Sequence, residues 1–191
     1  MQTNTALADL LRPRQRSSAL LYDLAVIGAG SFLVALGAQL AVGWPVPITA
    51  QTFVVLTLAA LLGPVRAPLC MIAYIGAGAA GLPAFAGGRG GPAVLLGPTG
   101  GYLLGFVAAA YIVGHLAQRG WDRTAATTAL AMAIGNIVIY ACGLLWLGVS
   151  QPMGLRGVLA AGLWPFIPGD LLKIALAALL LPGLWKLLGR R

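Results

Sequence analysis

Charge is what this sequence has least of. Only 8% of its 191 residues are charged, and only four are acidic. A soluble globular domain carries about 25% charged residues. With 60% hydrophobic residues beside so little charge, too few polar side chains are present to cover a water-facing surface. The solvent around most of this chain must be lipid. Histidine and cysteine are also scarce: His115 stands alone, and Cys70 and Cys142 both fall inside apolar runs. No His/Cys metal constellation exists, and the cysteines read as small buried hydrophobes. Four acidic residues supply paired-carboxylate chemistry badly. Ser31 and His115 lie in different apolar runs with no supporting motif, so an intramembrane serine protease is poorly provided for. No G-x-x-x-x-G-K-[ST] run is present for a nucleotide, and no basic stripe interleaved with aromatics for nucleic acid. We therefore expect no catalytic residue, no metal, no cofactor and no nucleic-acid partner. Arg12, Arg14 and Arg16 precede the first apolar run without a convincing cleavage site, so that run is expected to be a retained span.

What is abundant is apolar length. A helix crosses the hydrocarbon core with about 20 apolar residues, so the chain has room for five or six crossings and no separate soluble domain. The expected class is an all-α integral membrane protein with six transmembrane helices. A basic tail over 1–18 precedes a membrane domain over 19–188, and a second basic tail follows over 189–191. Spans are expected near 19–42, 53–62, 67–81, 99–116, 124–147 and 168–188. The second and third are short, and a re-entrant hairpin there would reduce the crossings to four. Between spans lie GWPVPITAQT, a turn Gly63-Pro64-Val65-Arg66, a glycine-rich loop over 82–98 and a loop over 148–166, whose apolar stretch 158–163 suits the membrane interface.

The basic residues test this layout. One side holds Arg12, Arg14, Arg16, Arg66, Arg119, Arg123, Lys186, Arg190 and Arg191; the other holds Arg89 and Arg156. The positive-inside rule then makes both termini cytoplasmic. Trp44, Trp121, Trp146, Trp164 and Trp185 fall near span ends, where amphipathic rings anchor at the interface.

The main chemical anomaly is Pro168-Gly169-Asp170-Leu171-Leu172-Lys173, followed at once by an apolar run. An Asp or Lys at mid-membrane costs about 2.5–3.5 kcal/mol on insertion scales. Three residues apart on a helix, Asp170 and Lys173 share a face and can meet one ligand. Pro168 suits the first turn, whose unpaired N–H groups can also receive polar ligand atoms. The bland alternative is an ion pair that only eases insertion. The glycine-rich loop runs from Leu82 through Phe85, Gly88 and Arg89 to Tyr102. Its glycines permit close approach of backbone to a ligand, and Arg89 can hold a carboxylate in a bidentate pair. A mobile surface loop is the alternative there. Thr49 and Gln51 add neutral hydrogen-bonding groups; Phe85 and Tyr102 can pack on a ring or simply anchor at the interface. Asn136 is expected to bond a neighbouring helix. Ala25 and Ala29 form a small-xxx-small pair on the first span, a face on which a partner helix can dock.

Four stretches in order and spacing, VPITAQTF (46–53), GLPAFAGGRGG (81–91), GPTGGYLLGF (97–106) and PFIPGDLLK (165–173), resemble the BioY family of substrate-binding (S) components of energy-coupling-factor biotin transporters. The resemblance spans nearly the whole chain. It implies a six-helix S-component fold, with biotin bound near the outer face under the loops after the first, third and fifth helices. It implies that Asp170 and Lys173 contact the ligand. Some members carry a basic residue just after GGY, where this chain has Leu103, and Arg89 is then the available cation. It also implies partners: a transmembrane coupling protein and two cytoplasmic ABC-type ATPases, in the bacterial inner membrane. Biotin suits the inventory, since its ureido ring has two N–H donors and a carbonyl and its valerate tail ends in a carboxylate. The pairing of Asp170 and Lys173 with the ureido ring, and Arg89 with the carboxylate, could be reversed. The rivals are an S component for thiamine or riboflavin, a membrane enzyme, and a subunit with a purely structural or assembly role.

Overall fold

The computed structural model describes residues 5–43 and 45–188. The tail over 189–191 and Trp44 lie outside the described residues, as do residues 1–4. Helix α1 (Arg16–Gln39) leads into a two-stranded antiparallel ribbon, β1 (Ala41–Val42) against β2 (Ile48–Thr49), with Ala41 opposite Thr49. Pro45 and Pro47 between and beside these strands exclude helix from the loop. Helices α2 (Gln51–Ala79), α3 (Ala93–Leu96), α4 (Gly100–Gln118), α5 (Ala125–Ser150), α6 (Leu155–Gly162) and α7 (Ile167–Leu188) follow.

Five of these helices are long and apolar enough to cross a membrane. The second of them, α2, is two antiparallel arms. Gly63 interrupts it with φ 80° and ψ −178°, a conformation essentially confined to glycine. Gln51 and Tyr74 stand 23 residues apart, about 34 Å along a straight helix, yet the Gln51 amide donates to the Tyr74 hydroxyl at 2.8 Å. The chain therefore folds back at Gly63, and the expected second and third spans are the arms 51–62 and 64–79. Six helical legs result. The arms rise only about 18 and 24 Å, less than the hydrocarbon thickness, because buried residues run almost the length of the first arm and it packs inside the bundle. The break falls at Gly63 alone, and Pro64 opens the second arm, where its missing N–H is no loss.

The core sits between α2, α4 and α5, built on Val55, Met71, Tyr74, Phe106, Val113 and Ile139. Small residues set the spacing. A Cβ on Gly114 would stand 2.6–2.8 Å from backbone atoms of Gly63 and Pro64, so α4 lies directly against the hairpin turn. Helices α1 and α7 flank this core and expose most of their surface.

Several details differ from the sequence expectations. Residues 5–15 are not a loose tail: a 3-10 turn (Leu7–Leu11) buries Leu7 and Ala8 beside the hairpin turn. Asp9 and Asp23 both bind the Arg66 guanidinium at 2.7 Å, and Asp23 also pairs with Arg12. The stretch 158–163 belongs to a short helix, α6, which buries Val158 and Gly162. Two tryptophans also make hydrogen bonds within the fold: Trp146 donates to the Gly97 carbonyl at 2.9 Å, and Trp185 to the Asp122 carboxylate. Asp122 lies in the turn between α4 and α5, and burial pushes its carboxyl above the usual range. That hydrogen bond brings the C-terminal part of α7 to the end of the bundle where α4 finishes. Gln118, the last residue of α4, and Ala6 both lie against the Gly63 turn, so the two ends of the described chain share one side.

Candidate functional site

At the opposite end, a cavity of about 600 Å³ including its open mouth lies among α2, α4, α5 and α7. Its wall is mostly apolar and aromatic, with Phe85, Tyr102, Phe106, Ile139 and Phe166, while Thr49, Gln51, Thr52, Tyr74, Tyr140, Arg89 and Lys173 supply polar atoms.

The polar floor is built on α7. Asp170 and Lys173 do share a helix face and pair at 3.1 Å. The Lys173 ammonium also donates to the Thr49 carbonyl and the Thr52 hydroxyl, each at 2.8 Å. Thr52 in turn donates to Asp170 Oδ1 at 3.1 Å, and Tyr140 from α5 donates to Oδ2. Asp170 is 4% exposed and stands behind Lys173, Thr52 and Tyr140, which line the cavity. The Asp170 N–H is taken by the Phe166 carbonyl at 2.9 Å, so this donor of the first turn is not open to a ligand.

The glycine-rich loop supplies the mouth. Gly87 and Gly88 both have φ near 70°, and this left-handed pair turns the loop so that Phe85 N–H reaches the Arg89 carbonyl at 2.9 Å. The turn sends Phe85 inward, where its ring meets Tyr74 edge-on at 5.6 Å. A Cβ on Gly78 would fall 2.3 Å from that ring, so the second arm of α2 fits Phe85 only because it has none there. Arg89 stays exposed at the rim, its Nε donating to the Ala86 carbonyl at 3.0 Å. Gly88 is not among the lining residues; its observed part is the turn. Tyr102 is 7% exposed, lines the cavity, and ties α4 to α6 by donating to the Gly162 carbonyl at 2.9 Å.

Sequence reasoning thus named Thr49, Gln51, Phe85, Arg89, Tyr102 and Lys173, and the fold brings these six to one cavity. It missed Thr52, Tyr74 and Tyr140. Tyr74 and Tyr140 look like ordinary span residues, Thr52 closes the expected loop GWPVPITAQT without standing out, and only the pairing of helices reveals a role. Asn136 does not bond a neighbouring helix through its Oδ1, which finds no partner among the described residues. It lines a smaller cavity with Thr52 and Lys173, and those two polar neighbours are already bonded to each other. Ala25, Gly28 and Ala29 lie on an exposed strip of α1, away from the cavity. No cluster able to hold a metal ion occurs among the described residues.

Comparison with known proteins is consistent with this geometry. The profile of the BioY family matches residues 8–190. A biotin transporter BioY of Thermotoga maritima is 38% identical over 85% of this chain and 96% of its own length. A probable biotin transporter BioY of Methanothermobacter thermautotrophicus is 45% identical over 63% of this chain and 82% of its own. In three dimensions, the S-component for biotin from an ECF-type ABC transporter superposes with a TM-score of 0.76, at 25% identity, covering 91% of this chain and 95% of that one.

Proposed function

The chain belongs to the BioY family, and from that premise we propose that it captures biotin for uptake across the bacterial inner membrane, as the substrate-specific component of an energy-coupling-factor transporter. The observation that carries this reading is a cavity with aromatic walls, a hydrogen-bonding floor and a basic rim. The bicyclic ring fits between Phe85, Tyr102, Phe106 and Phe166, with its ureido group on the floor built from Asp170 and Lys173. The apolar valerate chain then runs to the mouth, and its carboxylate meets Arg89. The two charged residues lining the cavity, Arg89 and Lys173, are both cationic. Lys173 is compensated by Asp170, and the remaining charge of Arg89 favours an anionic ligand over thiamine, whose thiazolium is itself positive.

Transport, not turnover, is the assigned role. The chain has no phosphate-binding loop, so the energy must come from partners: a transmembrane coupling protein and two cytoplasmic ABC-type ATPases. The exposed strip around Ala25 and Ala29 is the docking face we assign to the coupling protein, since small side chains let a second helix approach closely. The test is mass spectrometry of small molecules that accompany the detergent-solubilised protein, followed by titration of the stripped protein with biotin, thiamine and riboflavin. Biotin in the extract and tight saturable binding of biotin alone are expected. Preferential binding of either other vitamin would overturn the assignment.

A further inference from the structure

The donors and acceptors of the cavity floor can be counted. Asp170 accepts three hydrogen bonds, two at Oδ1 from Thr52 and Lys173 and one at Oδ2 from Tyr140. The carboxylate is 4% exposed and is not part of the cavity wall. An ammonium has three donors, and those of Lys173 go to Thr49, Thr52 and Asp170. Thr52 has one proton, already given to Asp170. Tyr140 likewise has a single phenolic proton, and it also goes to Asp170. Of these groups only Tyr140 both lines the cavity and presents an oxygen that accepts no hydrogen bond among the described residues.

We infer that Tyr140 is the hydrogen-bond acceptor that meets a ureido N–H of the ligand, and that Asp170 acts through it as a positioning residue. This rests on the biotin reading above. Asp170 holds the phenol by its proton, so the oxygen faces the cavity as an acceptor only. The floor is thereby set to receive an N–H at that point and to reject a second acceptor, since two facing acceptors leave a buried group unpaired. Specificity for a ureido edge over a ring nitrogen or ether then comes from a tyrosine fixed in one orientation. Tyr140 also stands edge-on to Phe166 at 6.5 Å, which restrains the ring itself.

The experiment is calorimetric titration of wild-type protein and the Tyr140→Phe variant with biotin and with the two biotins methylated on one or the other ureido nitrogen. Thermal midpoints are measured on the same preparations. Tyr140→Phe is expected to bind biotin roughly tenfold or more weakly, as loss of a buried partner predicts. For one of the two methylated ligands, wild type and variant should bind equally weakly, because the N–H that Tyr140 receives is already gone. A structural role for Tyr140 would instead weaken all three ligands by the same factor, and that result overturns the inference. So does wild-type affinity for biotin in the variant. If Tyr140→Phe does not fold, 3-fluorotyrosine at position 140 keeps the shape and the bond to Asp170 but weakens the acceptor. A measurable drop in biotin affinity is then expected, and unchanged affinity overturns the inference. No binding of biotin by the wild type would instead remove the biotin reading, and this inference with it.

Discussion

At the scale of single residues, the charged pair on α7 separates support from recognition. Lys173 and Asp170 satisfy each other and three further groups, so removing one leaves the other charge buried without compensation. Loss of one partner of a buried pair typically costs about 3–5 kcal/mol. Lys173→Ala is therefore expected to lower the thermal midpoint sharply and abolish biotin binding together. The neutral double variant Asp170→Asn/Lys173→Met removes both charges at similar volume, and should recover much of the stability. If the pair serves recognition, this folded double variant still binds biotin at least tenfold more weakly than wild type. Normal affinity in it would reduce the pair to an insertion aid.

At the scale of elements, the hairpin of α2 decides where the floor is. Its turn brings Gln51 and Thr52 on one arm and Tyr74 on the other to the same height as Lys173. The turn depends on one backbone conformation, φ 80° with ψ −178° at Gly63, and on the close approach of Gly114. A Cβ in that region costs on the order of 1–3 kcal/mol, and at Gly63 it would also stand 3.1 Å from the Ala6 side chain. Gly63→Ala should lower the thermal midpoint by several degrees and weaken biotin binding in proportion to the misfolded fraction. An unchanged midpoint would mean that the turn adapts. The first loop and the glycine-rich loop border this floor, with Val46, Pro47, Phe85, Ala86 and Arg89 lining the cavity. Tyr102 links α6 to the wall by a single hydrogen bond to the Gly162 carbonyl.

At the scale of the whole molecule, the cavity opens at one end of the bundle and both described chain ends lie at the other. The sequence assigns nine basic residues to the terminal side and two to the cavity side, and the positive-inside rule then predicts cytoplasmic termini. A membrane-impermeant thiol reagent should therefore fail to label a cysteine placed at residue 5 or residue 190 in intact cells, in a background without Cys70 and Cys142. Labelling at either site from outside would reverse the orientation. The docking face is tested separately. Ala25→Trp or Ala29→Trp adds a ring to an exposed strip remote from the cavity, so it should impair uptake and assembly with the coupling protein while biotin affinity stays within about twofold, as expected for distant independent sites. Unchanged uptake would return that strip to lipid contact.

The sequence by itself determined the lipid solvent, the number of helical legs, and which charged residues stand out as candidates for the site. Apolar run length and scarcity of charge are local properties, and Asp170 and Lys173 stand out because ionisable groups in an apolar run are expensive. Arg89 and the glycines around it were legible for a similar reason, as polar backbone between spans. Tertiary structure alone decided the rest. Thr52 at the end of the expected first loop and Tyr140 inside an apolar run are separated from Asp170 by 118 and 30 positions, and become its partners only when α2, α5 and α7 pack together. The burial of Asp170 behind the wall, the pairing of Gln51 with Tyr74, and the orphaned Asn136 oxygen follow from the same packing. A hydrogen bond between helices depends on their rotation and depth, and neither is written in the periodicity of one helix alone.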